Sequence, residues 1–302
     1  MNFWKPNDRQ PQRQSGAEGE VLLQPGLYVV ATPIGNARDI TLRALDVLAV
    51  ADAVLAEDTR VTAKLLGIHG LKRPLIAVHD HNEVAISAQA VARIAAGQAL
   101  ALVSDAGTPM VSDPGYKLAR AVIAAGLPVF PLPGPSSALA ALVTSGLPPD
   151  RFFFCGFLPP KAGARKAALS ALKVIPASLI FLESPGRLAA SLSDMLDVLG
   201  PRPAAVAREL TKMFEECVRG DLATLAQTYG SRDAPKGEIA VVVGPPPEKD
   251  AHDGEALDAA LKLALADAPL GQAATDVAHA LDLPRRTVYE RALILSGKKR
   301  GP

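Results

Sequence analysis

Cysteine is scarce in this 302-residue chain, with Cys155 and Cys217 as the only two. That excludes a disulfide framework and a cysteine-rich zinc module, and it makes a reducing, cytoplasmic setting the expectation. An excess of either charge is also lacking: Lys plus Arg number 32 and Asp plus Glu 31, a formal net charge of +1. Such a balance argues against a surface that grips nucleic acid indiscriminately, while leaving room for a local basic face. No continuous apolar run is long enough for a bilayer. The uncharged stretch 121–149 is broken by Gly126, Pro128, Pro131, Pro133, Gly134 and Pro135, so no apolar helix of about 20 residues passes through it. Residues 1–24 lack an apolar core and read as a polar, disordered arm, not as a secretory signal. The G-x-G-x-x-G fingerprint, the phosphate-loop motif, the nucleophile elbow and any fixed-period repeat are all missing.

What is present is apolar. Hydrophobic residues make up 49% of the chain, enough to bury the cores of two compact domains. Short unbroken apolar runs at 27–31, 53–57, 75–78, 99–103 and 128–131 read as strands. Between them, 59–66, 83–96 and 117–125 have helical spacing. This alternation predicts a sheet covered by helices on both faces. A second strand series, 152–155, 178–182, 204–207 and 238–243, is separated by helices near 164–173 and 187–199. The expected organisation is an N-terminal α/β domain over 25–135, a C-terminal α/β domain over 136–247 ending in a stiff Gly-Pro-Pro-Pro linker, and a helical tail over 248–302.

The polar residues concentrate in loops. Thr32-Pro-Ile-Gly-Asn36 opens toward a helix, with Gly35 and Asn36 suited to a positive-φ turn and Asp39 or Thr41 to a helix cap. Ser104-Asp-Ala-Gly-Thr-Pro109, followed by Val111-Ser-Asp-Pro-Gly115, is the densest polar cluster and leaves the carboxyl end of a buried strand, where α/β sheets bind ligands. Its glycines allow close backbone approach and its prolines stiffen it. Pro131-Leu-Pro-Gly-Pro-Ser-Ser137 precedes a helix, with Ser136 or Ser137 at the N-cap. His79-Asp-His-Asn-Glu83 has two imidazoles on a strand end but no further His or Cys cluster to complete a metal site, so no metal is expected and the segment reads as a polar lip over the site.

Two stretches are basic. From Lys161 to Lys173 there are four cations, Lys161, Arg165, Lys166 and Lys173, and no acid. This is either a solvated helix face or a phosphate-contacting surface. After Leu283 come Arg285, Arg286, Arg291, Lys298, Lys299 and Arg300 against Glu290 alone. The segments 271–281 and 283–293 have the pattern of a helix-turn-helix with a core of Ala274, Val277, Ala278, Leu281, Leu283 and Val288, a unit able to place its second helix on nucleic acid.

Nine segments occur in an order that resembles the small-subunit ribosomal RNA methyltransferase I family, a branch of the tetrapyrrole methylase superfamily. They are TPIGNARDIT, AEDTR, HDHNE, LVSDAGTPMVSDPG, PLPGPSSALAAL, GFLPPK, LESPGRL, ARELTK and GEIAVVV, spanning residues 25 to 244. The resemblance implies two α/β domains flanking a cleft that holds folded S-adenosylmethionine. It also implies 2′-O-methylation of a cytidine in the decoding region of small-subunit rRNA, acting on rRNA or a ribosomal subunit as a homodimer. By the same resemblance the cofactor cleft is lined by Pro33, Ser104, Asp105, Ala106, Gly107, Thr108, Pro109, Val111, Ser112, Asp113, Ser136, Ser137, Leu158 and Ala207. Phosphate contacts are expected from Lys161, Arg165, Lys166, Arg285, Arg286 and Arg291.

A ribose 2′-OH needs a proton acceptor, and strand-end position makes Glu183 and then Glu57 the expected catalytic bases, with an ion pair to Arg187 or Arg60 as the competing role. The chain departs from the family pattern at Val78 and Leu182, where an aromatic is usual, and at Gly186, where the usual residue is His. Two other classes compete: a methylase of a small molecule such as a tetrapyrrole precursor, and a non-enzymatic helix-turn-helix regulator.

Overall fold

The computed structural model describes residues 22–79, 81–247, 254–281 and 283–296, with side chains in the third stretch from Leu257. Residues 1–21 of the expected 1–24 arm, and Lys298, Lys299 and Arg300 of the basic tail, lie outside the described residues; within 22–24, Leu23 packs against the first sheet's core and Gln24 O accepts from Tyr28 Oη. The chain divides into two compact units, one ending at Pro245 and one beginning at Pro246.

The first half of the larger unit alternates strand and helix: β1 (Gly26–Val30), α1 (Leu42–Val50), β2 (Ala53–Ala56), α2 (Thr59–Ile68), β3 (Leu75–Ala77), α3 (Glu83–Ala95), β4 (Ala99–Val103), α4 (Tyr116–Ala124) and β5 (Val129–Leu132). The five strands form one parallel sheet in the order β3-β2-β4-β1-β5. Every residue of β1, β2 and β4 is buried, which is why these strands read as unbroken apolar runs: both faces are covered by helices. Two apolar clusters pack on the two faces, one around Val30, Val47 and Leu48, the other around Leu55, Ile94, Leu100 and Leu118. Each such buried side chain contributes about 1.5–3 kcal/mol.

The second half contains α5 (Ser137–Ser145), β6 (Phe152–Phe157), α6 (Ala162–Leu172), β7 (Ser178–Glu183), α7 (Leu188–Leu199), β8 (Pro203–Arg208), β9 (Glu216–Asp221), α8 (Leu222–Gly230) and β10 (Ile239–Val243). Its strands form a mixed sheet in the order β6-β7-β10-β8-β9, parallel only between β6 and β7. Sequence reading did not find β9 or α8. β9 is a sheet edge with the sequence ECVRGD, none of it buried, so it carries none of the apolar continuity that marks the buried strands.

The expected loop conformation after β1 is corrected in one respect. Neither Gly35 nor Asn36 is left-handed; Asn36 has φ −99° and caps a short 3-10 turn, Ala37–Asp39, by accepting from Arg38 N–H. Thr41, not Asp39, caps α1.

The smaller unit contains α9 (Gly254–Asp267), α10 (Leu270–Ala280) and α11 (Arg285–Leu295) around a core that includes Leu257, Leu261, Val277 and Val288. Among the described residues, no helix is long and apolar enough to cross a membrane.

Candidate active site

A cavity of about 370 Å³ opens within the larger unit, with walls drawn from both sheets. The loop after β1 supplies Ile34, the loop after β4 supplies Ala106, Val111, Ser112 and Asp113, and the first turn of α5 supplies Ser137. The second sheet supplies Leu182 and Glu183 at the end of β7 with Ser184 and Pro185 just beyond it, Ala207 near the end of β8 and Leu210 after it, and Gly237 to Ala240 leading into β10. Phe157, at the end of β6, is 57% exposed and stands at the mouth. A β-bulge between Phe154 and Gly156, with Gly156 at φ +64°, turns this strand end toward Ser112.

Backbone conformation is unusual at this wall. Four described non-glycine residues are left-handed: Met110, Ser112, Glu209 and Thr211. They bracket wall residues Val111 and Leu210 on the two facing loops. Such conformations are costly and persist where the surroundings fix them, which is common at functional sites. On the first loop, Thr32 N–H donates to Gly107 O (2.8 Å) and Gly107 N–H returns to Thr32 O (3.0 Å). On the second, Lys212 Nζ donates to Glu209 (2.8 Å) and Glu238 (3.1 Å), and Glu238 N–H donates to Glu209 Oε1 (3.1 Å). Burial alone would lower the Lys212 pKa, but these hydrogen bonds outweigh it and the net shift is upward. The two halves meet where Thr211 Oγ1 accepts from Asn36 N–H (3.1 Å). A Cβ on Gly35 would run into Lys212 Cγ, so the close approach requires glycine there.

The electrostatics are one-sided. Among the described residues, the wall has three carboxylates, Asp113, Glu183 and Glu238, and no Lys or Arg. Burial pushes the Asp113 carboxyl above the ordinary range; the neighbouring Asp105 charge adds to this and a hydrogen bond with Ser104 opposes it. Burial likewise raises Asp105, against a hydrogen bond from Asp58 N–H (3.0 Å). A carboxyl raised in the folded state stabilises the fold below its unfolded pKa, and that contribution is lost as pH rises through the folded pKa. Asp113→Asn is therefore expected to raise the melting temperature slightly at neutral pH and to flatten the fall of stability with pH on the acidic side. A thermal-melt series from pH 4 to 7 measures both, and an unchanged pH slope would contradict the assignment.

Glu183 is almost fully buried, and both its oxygens are engaged. Oε2 accepts from Ser191 Oγ (2.5 Å), Oε1 from Ser184 N–H (2.8 Å), and the Arg187 guanidinium lies 3.3 Å away. Arg187 in turn donates to Leu158 O (2.6 Å). Glu183 thus ties the end of β7 to the first turn of α7 and, through Arg187, to Leu158 beside the wall residue Phe157, an arrangement suited to positioning.

Of the expected site residues, the cavity brings together Ala106, Val111, Ser112, Asp113, Ser137, Ala207 and Glu183. The others lie off its wall. Ser104 is buried beneath the loop, with Oγ donating toward Ala106 O and Gly107 O. Thr108 ties to Pro135 O, Ser136 caps α5, and Leu158 packs into the second sheet's core. Pro33, Asp105, Gly107, Pro109 and Glu57 are not wall residues. Sequence reading missed Ile34, Leu210 and the strand start Gly237–Ala240; the GEIAVVV segment was visible, but its facing partner was not.

One expected phosphate contact, Arg165, is corrected, and Lys166 and Arg291 are found sharing their charge with acids. Arg165 is 4% exposed, pairs with Asp194 (2.6 Å) and donates to Pro160 O (3.0 Å). Lys166 pairs with Asp194 and Asp197. The run without acids was misleading because α7 supplies them across the helix pair. In the smaller unit, Arg291 makes two 2.7 Å bonds to Asp258. Lys161, Arg285 and Arg286 remain exposed. His79 and His81 face each other edge-on at 6.4 Å and are not on the cavity wall. Among the described residues, no group of three or more metal-capable side chains is present.

Residues 26–226 match the profile of the Tetrapyrrole (Corrin/Porphyrin) Methylases, and residues 250–296 match that of the RsmI C-terminal HTH domain. The protein named ribosomal RNA small subunit methyltransferase I from Mesorhizobium japonicum is 51% identical over 274 residues, covering 90% of this chain and 93% of its own. This chain belongs to the ribosomal RNA small subunit methyltransferase I branch of the tetrapyrrole methylases. The member of that branch from Escherichia coli O157:H7 is 42% identical, covering 96% of this chain and all of its own. Among solved structures, the uroporphyrin-III C-methyltransferase from Thermus thermophilus complexed with S-adenyl homocysteine shares the fold at TM-score 0.52 and 23% identity, covering 72% of this chain and 96% of that one.

Within this methylase branch, the three departures have different settings. Leu182 lines the cavity, Val78 is buried in the first sheet's core, and a Cβ at Gly186 would meet nothing within 4 Å.

Proposed function

We propose that the protein transfers a methyl group from S-adenosylmethionine to the 2′-oxygen of a cytidine ribose in the decoding region of small-subunit rRNA. The observation that carries this reading is the cavity: nucleoside-sized, mostly apolar, and charged only by carboxylates. That chemistry fits the flat faces of the donor's adenine and its two cationic centres, the sulfonium and the ammonium. Asp113 and the Ser112 and Ser137 hydroxyls would meet its polar groups, and Ile34, Val111 and Leu210 its flat apolar face. When bound, the donor supplies an electrophilic methyl on a sulfonium. The chain's own part is to hold the ribose oxygen in line with that methyl and to exclude water, and alignment of this kind supplies much of a transfer rate. Glu183 holds the wall segments; with its oxygens occupied, positioning fits it better than proton abstraction. Asp113→Asn should also weaken donor binding about tenfold, roughly 1.4 kcal/mol, as read by calorimetric titration.

RNA is favoured over a tetrapyrrole substrate because the extensive, highly identical matches are to proteins named for ribosomal RNA, while the porphyrin-methylating likeness is distant. The exposed Arg285 and Arg286 at the start of α11 supply cations for phosphate. Their own pairings, to Thr275 and Glu290, are exposed and readily exchanged. The double substitution Arg285→Glu/Arg286→Glu is expected to weaken RNA capture tenfold or more and to leave donor affinity unchanged; equal RNA binding would remove the tail from the reading.

The deciding experiment incubates the protein with labelled S-adenosylmethionine and undermethylated small subunits, naked rRNA, or a porphyrinogen. Label in either RNA sample supports the proposal, and label confined to the porphyrinogen overturns it. A cytoplasmic homodimer completes the proposal, and its solution mass tests the dimer.

A further inference from the structure

Among its described residues the His79-Asp-His-Asn-Glu83 segment carries no wall residue and no metal cluster, yet it ends in a nearly fully buried carboxylate, Glu83. Glu83 opens α3, but its carboxylate serves another helix. Oε1 accepts from the backbone N–H groups of Gly115 (3.1 Å), Lys117 (2.7 Å) and Leu118 (3.2 Å). These donors belong to the first turn of α4, whose own N-cap, Gly115, has no side chain to satisfy them. A negative charge at a helix N-terminus, bonded to several N–H groups, is a strong fixed contact.

The geometry points to Glu83 as a positioning residue for the cavity: it fixes the downstream end of the loop that carries Val111, Ser112 and Asp113. The upstream end is fixed at Gly107 by the paired bonds to Thr32. The residues between these two anchors include both left-handed positions, Met110 and Ser112, and three wall residues. A chain in that conformation relaxes unless both ends are held. At the downstream end the backbone is pressed into the core: Gly115 has φ +118°, and a Cβ there would lie 2.7 Å from Leu102 Cδ2. Close approach sets where Gly115 sits, and Glu83 holds the turn that follows.

Glu83 is itself held. Asn82 donates to Ala77 O (2.9 Å) and accepts from His79 N–H (2.9 Å), which shapes the turn leading into α3. Ser87 Oγ donates to Glu83 O (2.6 Å). The motif is thus a bracket behind the cavity, and its acid acts on the ligand only through the loop.

The functional arm of the test rests on the donor site proposed above; the structural arm does not. Glu83→Ala, Glu83→Gln and a control, Asp221→Ala, are compared with the unaltered protein. Asp221 caps α8 by accepting from Thr224 N–H (2.7 Å) and is not a cavity residue. Glu83→Ala is expected to raise the Kd for S-adenosylmethionine tenfold or more, and to accelerate amide exchange at residues 108–113 and 115–118 in the donor-free protein. Glu83→Gln keeps an acceptor oxygen and should recover Kd to within about threefold. Asp221→Ala should lower the melting temperature without moving Kd or the exchange of the loop. If Glu83→Ala leaves both Kd and loop exchange as in the unaltered protein, the inference is overturned. If the unaltered protein binds no donor, the functional reading fails, and the exchange arm alone decides whether Glu83 holds the loop.

Discussion

Replacing Asp194 by alanine is expected to destabilise the larger unit by about 3–5 kcal/mol, because it strands a buried guanidinium. The Arg165 and Asp194 side chains are 5% and 10% exposed and meet at 2.6 Å between α6 and α7. Without the carboxylate, Arg165 retains Pro160 O as its partner among the described residues. Arg165→Met should cost less, since Lys166 lies 3.3 Å from Asp194 and still neutralises it. Urea denaturation with a fitted midpoint measures both. The same variants test the corrected role of Arg165: RNA affinity of Arg165→Met should equal that of the unaltered protein under conditions where both are folded. A tenfold loss of RNA affinity at unchanged stability would restore Arg165 as a phosphate contact.

Glu183→Ala is expected to lose more than a hundredfold in turnover together with about 2–4 kcal/mol of stability, because Ser191 and Ser184 N–H lose their acceptor inside the protein and Arg187 loses its counter-charge, keeping only Leu158 O among the partners described. The informative comparison is Glu183→Gln. It keeps an acceptor for Ser184 N–H and removes the charge facing Arg187. If Glu183 positions the wall, Gln should lower stability yet keep turnover within about tenfold. If Glu183 is the base, turnover should collapse while melting and donor affinity hold. Single-turnover rates beside melting curves separate the two outcomes.

The elements differ in how far sequence revealed them. β1, β2, β4 and β10 were legible because each is buried on both faces, and a short unbroken apolar run bounded by turn residues is the pattern that such burial produces. β9 was invisible because an exposed edge strand places charges where a core strand places valine. The caps of α1 and α5 were narrowed to two candidates each, Asp39 or Thr41 and Ser136 or Ser137, because capping is local, and the structure selects Thr41 and Ser136. Glu83 could not be recognised as a cap, since its donors lie more than thirty positions away.

The loop 104–115 shows both sides of this. Its glycines, prolines and acids marked it as a ligand loop, and Ala106, Val111, Ser112 and Asp113 do reach the cavity. Which loop residues face inward was not legible: Asp105 turns to Asp58 N–H and Ser104 bonds back to the loop's own carbonyls. Partners far off in sequence and left-handed turns at Met110 and Ser112 shape the loop, and no spacing rule announces them.

The sequence by itself determined the buried strands of both series, the candidate helix caps, the scarcity of thiols and the ordered motifs that place the chain in its family. These depend on local periodicity, turn chemistry and composition. Tertiary structure decided which charges remain available and which loops share a wall. Arg165 and Lys166 look like a basic face in one dimension and become ion-paired with α7 in three. Glu183 looks like a base and becomes a buried tie between segments. The physical reason is common to both: a charge in a folded protein is defined by its neighbours and its access to water, and both are set by distant parts of the chain.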